Sequence, residues 1–92
     1  MATPVTSAKR LQVQDLIRAK VDPEAAVLEV KDEDGYGVVL YLSPINVFRY
    51  VVHRWAAVDT AGGEIPGGML YDGGYHLDLG EALDDFTHRR PR

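Results

Sequence analysis

The segment Val47–Val58, VFRYVVHRWAAV, is the densest run of aromatic and β-branched residues in the chain. Such residues favour strands, and a strand directs alternate side chains to opposite faces of a sheet. One face would fill a core, and the other would present Arg49, His53 and Trp55 to the outside. A helix is the alternative, because at about 100° per residue the polar and apolar side chains also separate onto opposite arcs. We predict a strand.

Two further strands are predicted before this segment. Ala26–Lys31 alternates between two faces, and Tyr36–Leu42 returns as a second run of strand-forming residues. Between them, Asp32–Gly35 ends in Asp-Gly, a favoured hairpin turn because both residues tolerate positive φ. Ser43–Asn46 has two interpretations: a tight turn containing proline, or a helix start with serine as the cap and proline at the first position.

A helix is predicted at each end of the chain. Thr6 or Ser7 can cap a first helix that runs to about Lys20. Asp78 caps the closing helix, and Glu81 completes an Asp-x-x-Glu capping box. The apolar stripe of this second helix follows the i, i+3, i+4, i+7 pattern and consists of Leu79, Ala82, Leu83 and Phe86.

The remaining segments complete the predicted fold. Asp59–Gly68 contains four glycines and one proline and is predicted to be a loop. Met69–Leu77 is predicted to be an irregular last strand with a turn or bulge at Asp72–Gly74. The order α-β-β-β-β-α predicts a single α+β domain over residues 1–92. We expect a two-layer sandwich, with an antiparallel sheet of about four strands and both helices on one face.

Composition restricts the function classes. The 92 residues are 46% hydrophobic and 26% charged, as in ordinary globular domains. The net charge of −4 argues against nucleic-acid binding, and the basic tail His88–Arg92 suits a helix C-terminus. The absence of cysteine excludes disulfides and thiolate catalysis. No apolar run approaches the roughly 20 residues that span a membrane, and the first residues do not resemble a signal peptide, so we expect a cytoplasmic protein.

The sheet face away from the helices is the first candidate site. It is predicted to carry Tyr41, Arg49, His53 and Trp55, residue types that anchor protein interfaces. A partly apolar face on a small domain needs a cover, and two-fold self-pairing provides one. We therefore predict a homodimer formed through this face, with a protein or small-molecule site there. The alternative is that Trp55 turns inward as core while Arg49 and His53 lie at the rim.

The glycine-rich region Ala61–Gly74 and the residues after it form a second candidate. One interpretation is a loop that folds over a ligand held by Tyr71, Tyr75 and His76; the other is a simple connector. A metal site of His53, His76 and Asp78 is conceivable, but the Asp78 carboxylate is needed as a helix cap. We predict no metal and no cofactor.

Motifs for covalent catalysis are missing from the sequence. It has no cysteine, no Gly-x-Ser-x-Gly elbow and no phosphate-binding glycine loop. An acid–base enzyme needs only a histidine and a carboxylate in a pocket, so an enzyme with His53 or His76 at a dimer interface is the alternative function. We predict a protein that acts by binding.

Overall fold

The computed structural model describes residues 6–33, 35–56 and 68–91. The helices are α1, Ser7–Lys20, and α2, Leu79–His88. The strands are β1, Ala26–Glu33; β2, Tyr36–Leu42; β3, Tyr50–Ala56; and β4, Met69–His76. The strands form one antiparallel sheet in the order β1-β2-β3-β4. The predicted element order, antiparallel sheet and α+β class are confirmed.

The segment Val47–Val58 forms a strand in its centre rather than a helix. Tyr50–Ala56 pairs with β2 on one side and β4 on the other, whereas residues 47–49 belong to the preceding loop and residues 57–58 lie outside the described residues. Ser43 and Asn46 form a turn, because the Asn46 N–H donates to the Ser43 carbonyl oxygen at 3.1 Å. The turn interpretation of Ser43–Asn46 is therefore the correct one. Most of the predicted loop Asp59–Gly68 lies outside the described residues.

The two helices pack on opposite faces of the sheet and not, as the sequence predicts, on one face. Successive side chains of a strand point to opposite faces, so Leu40 and Tyr41 cannot share a face, yet both are fully buried. One core cluster joins α1 to the sheet through Val13, Leu16, Ile17, Val39, Tyr41, Val51 and Trp55. The other joins α2 to the opposite face through Val38, Leu40, Val52, Ala82 and Phe86. The domain has three layers, helix–sheet–helix.

Side chains cap both helices at the predicted ends. Thr6 Oγ1 accepts from the Lys9 N–H at 3.1 Å, and Asp78 Oδ2 accepts from the Glu81 N–H at 3.1 Å. Each bond satisfies a backbone donor that has no partner within its helix. Within the described residues, neither helix has the length and hydrophobicity needed to span a bilayer.

Asp22 joins the end of α1 to the loop between β2 and β3. Its carboxylate is buried and accepts from the Glu24 N–H at 2.8 Å and from the Ser43 hydroxyl at 2.9 Å. The Glu24 bond contributes most to holding the pKa of Asp22 below its ordinary value; burial opposes the shift, and Ser43 supports it. These bonds fix the direction in which the chain leaves α1.

Strand β4 contains a bulge opposite His53. Val52 pairs with Gly74 and Arg54 pairs with Tyr71, so β4 has one more residue than β3 in this interval. Asp72 has a φ of 56°, a left-handed conformation that is uncommon for a residue with a side chain. This finding confirms the predicted irregularity at Asp72–Gly74, and such a bulge changes the direction of neighbouring side chains.

Candidate functional site

The structure places the predicted interface residues in different environments. Tyr41, Trp55 and His53 are 0%, 1% and 9% exposed, respectively, and the first two belong to the core beneath α1. Arg49 is exposed in the loop before β3. The sheet face that was expected to be open is therefore covered, and the alternative with Trp55 in the core is correct. That alternative placed His53 at the rim, whereas the structure buries it.

Tyr41 and His53 form a buried hydrogen-bonded pair. Tyr41 Oη lies 3.0 Å from His53 Nδ1, and the two rings stack with centroids 5.8 Å apart and planes 10° apart. Burial, the largest cause, raises the pKa of the Tyr41 phenol, so the phenol keeps its proton and can donate it. A phenol that donates to Nδ1 leaves the imidazole proton on Nε2. We therefore assign the Nε2–H tautomer to neutral His53.

The bulge in β4 brings Gly73 against the other edge of the imidazole. A Cβ atom on Gly73 would lie 2.5 Å from His53 Nε2 and 3.1 Å from Tyr75 Oη. Tyr75 also meets His53 edge to face, with ring centroids 5.9 Å apart. The small residue at position 73 thus provides the space in which these two polar atoms lie.

A cavity of about 380 Å³ opens beside this group, between the C-terminal end of α1 and strands β3 and β4. Its wall is partly apolar, and the polar groups on it are an ammonium, an imidazole and a phenol. Small-molecule sites combine an apolar wall with a few placed polar groups in this way. The lining residues are Lys20, Val21, His53, Gly68, Met69, Leu70 and Tyr75.

The electrostatic surroundings keep the His53 imidazole uncharged. Burial contributes most to lowering the pKa of His53, and the positive charge of Arg89 lowers it further. The ring is therefore neutral at pH 7 and acts as a hydrogen-bond donor through Nε2 rather than as a cation.

His76 belongs to an ionic cluster on the α2 side of the sheet. Asp85 accepts from His76 Nε2 at 2.8 Å and pairs with Arg89 Nε at 2.7 Å. Burial alone would raise the pKa of Asp85, but the hydrogen bonds from Arg89 and His76 outweigh it and hold that pKa below its usual range. Arg54 and Arg89 both contact Asp72, so the cluster fastens the end of α2 to the bulged part of β4.

The structure groups the residues of the two predicted candidate sites differently from the sequence prediction. Tyr75, which is 51% exposed, joins His53 at the cavity, whereas His76 belongs to the ionic cluster. Tyr71 is half-buried and pairs with Arg54 on the α2 side. Within the described ranges, no group of three or more histidines and carboxylates is arranged to hold a metal ion.

Sequence reasoning did not identify Lys20 and Val21 as lining residues. A basic residue in the last turn of a helix is common for reasons of the helix dipole alone. Only the direction of α1 across the sheet brings these two residues to the cavity, and no local pattern encodes that direction.

Comparison of the chain with models of protein families, with curated proteins and with solved structures found no match.

We predict that Gly73→Ala destabilises the fold through its contact with His53. Overpacking of this kind costs about 1–3 kcal/mol of unfolding free energy, measurable by urea denaturation. In a His53→Ala background the same substitution should cost less than about 0.5 kcal/mol, because the ring it would strike is gone. Equal costs in the two backgrounds would show that the His53 contact does not restrict position 73.

The protein should also lose stability on acidification because of His53. The folded-state pKa of His53 lies below the unfolded value of about 6.5, so the unfolded state binds the proton first. Stability should therefore fall as the pH decreases through about 6.5, whereas Asp22 and Asp85, whose pKa values are lowered, act at more acidic pH.

The measurement is urea denaturation at several values from about pH 7.5 to about pH 5. His53→Asn should show a smaller loss over this interval than the wild type. An identical loss in both proteins would mean that another group is responsible.

Proposed function

We propose that the protein acts by binding and that its ligand is a small organic molecule held in the cavity beside His53. The observation that carries this proposal is a pair of polar atoms with no protein partner. Within the described part of the chain, neither His53 Nε2 nor Tyr75 Oη hydrogen-bonds to another protein group, although both lie against Gly73 at the cavity. His53 is buried and Tyr75 is exposed, and both line the cavity, so their polar atoms are available there to a ligand that can hydrogen-bond to them.

The fixed orientation of His53 supports the same proposal. Its ring is held by the Tyr41 hydrogen bond on one edge and by stacking on one face. A donor that is already oriented loses little conformational freedom when a ligand binds, which increases affinity. The volume of about 380 Å³ falls in the lower part of the range of small-molecule sites, about 300–1,000 Å³.

The geometry favours this site over the interface expected from the sequence. A homodimer through the sheet face would need Tyr41 and Trp55 at the surface, but α1 already covers both. An acid–base enzyme would use His53 or His76. The described cavity lining contains no carboxylate to act with His53, and the Asp85 carboxylate that contacts His76 is also paired with Arg89 on the α2 side, away from this cavity. The cytoplasmic location expected from the sequence stays a prediction.

The test is a screen of small aromatic compounds by two-dimensional ¹H–¹⁵N NMR. Bound compounds should shift the amide signals of Met69, Leu70 and Tyr75. Val21→Trp should abolish these shifts, because Val21 is 38% exposed at the cavity and a larger ring there would occupy the space.

Leu11→Trp is the matched control, since Leu11 is also an exposed apolar residue of the α1 region but lies ten positions away. At about 1.5 Å per residue, that spacing is about 15 Å along the helix axis. Compounds that shift signals elsewhere, or that bind Val21→Trp as tightly as the wild type, would contradict the proposal.

A further inference from the structure

We propose that the ligand is an organic anion, a carboxylate with an apolar or aromatic body, whose oxygens accept from His53 Nε2 and pair with Lys20. This inference rests on the proposed function and concerns the chemical class of the ligand in the same cavity.

The charge of the cavity lining is the first argument. The chain has 14 acidic and 10 basic residues, yet the described lining contains Lys20 and no acidic residue. A cationic ligand would have to lie near the Lys20 ammonium without an opposing carboxylate. An anion in the same place would gain from that charge.

The hydrogen-bonding character of the lining is the second argument. With Tyr41 donating to Nδ1, His53 offers an N–H at Nε2. The Tyr75 hydroxyl can also donate, and Lys20 is a donor with no acceptor capacity. A set of donors without a fixed acceptor selects a ligand group with several lone pairs, which a carboxylate supplies.

Some charges around the cavity attract an anion and others repel it, and together they favour an anion. The C-terminal end of α1 carries the negative end of a helix dipole, but Arg18 and Lys20 occupy its last turn and offset it. The buried carboxylate of Asp22 is already satisfied by Glu24 and Ser43. Arg89 adds positive potential at His53, which also lowers the pKa of that histidine.

The apolar wall indicates what the rest of the ligand is. Val21, Met69 and Leu70 offer aliphatic surface and a thioether, and Tyr75 offers an aromatic ring. A ring or short branched chain would bury its apolar surface there while its carboxylate meets the donors.

The test compares matched carboxylates and amides by isothermal titration calorimetry. The probes are indole-3-acetate with indole-3-acetamide, and benzoate with benzamide. Each pair has nearly the same shape and differs in charge, and NMR mapping shows whether a probe lies at Met69, Leu70 and Tyr75. We expect each carboxylate to bind about tenfold more tightly than its amide, because charge-assisted hydrogen bonds are the stronger ones.

Charge variants make the test specific to the cavity. Lys20→Gln should weaken carboxylate binding about threefold and leave amide binding unchanged. Arg49→Gln is the control, because it removes one positive charge from an exposed loop outside the cavity lining and should alter neither class.

The outcomes separate this inference from the proposed function. Amides that bind in the cavity as tightly as carboxylates would overturn the inference and leave the function standing. If none of the four probes binds in the cavity, both proposals are contradicted. The carboxylates could bind more tightly than the amides and yet be weakened equally by Lys20→Gln and Arg49→Gln. That result would show that the preference comes from the net charge of the protein, and it would also overturn the inference.

Discussion

The burial of β2 and β3 on both faces is the constraint on which the rest of this structure depends. Val39 and Tyr41 are covered by α1, and Val38 and Leu40 are covered by α2. A polar side chain that is buried between these strands and a helix needs a partner. His53 is such a residue, and its hydrogen bond with Tyr41 satisfies one ring nitrogen while fixing the ring.

The bulge in β4 contributes one residue to the contacts on each side of the sheet. On the α2 side, Asp72 is held by Arg54 and Arg89. On the α1 side, the next residue, Gly73, lies against His53 and leaves room for the ring and for Tyr75. The ionic cluster thus holds the strand in the shape that the cavity requires, which gives a structural role to charges that do not line the cavity.

Local patterns in the sequence predicted the helices and strands but not the faces of the sheet on which the helices pack. The capping residues and the glycines at positions 73 and 74 have local physical causes, and each indicated its element correctly, whereas the predicted Asp-Gly turn includes Asp34, which lies outside the described residues. The run Val38–Tyr41 is continuously apolar, as expected for a strand buried on both faces. Interpreting the strands as half-buried placed both helices on one face.

The same error affected the candidate site. Tyr41 and Trp55 were predicted at an interface because large aromatic residues anchor interfaces, but equally they fill cores, and the side chains of α1 cover them here. His53 and Tyr75 were both identified from sequence, in two separate candidate sites. Their meeting, and the presence of Lys20 beside them, depends on the bulge and on the path of α1, which are properties of the tertiary structure.

Long-range nuclear Overhauser effects test the two-sided burial most directly. The account predicts effects between the methyl groups of Ile17 and the rings of Tyr41 or Trp55, and between the Phe86 ring and the methyl groups of Leu40 or Val52. Effects from Ile17 and Phe86 to the same set of sheet residues would place both helices on one face. That result would contradict the three-layer arrangement and, with it, the cavity at His53.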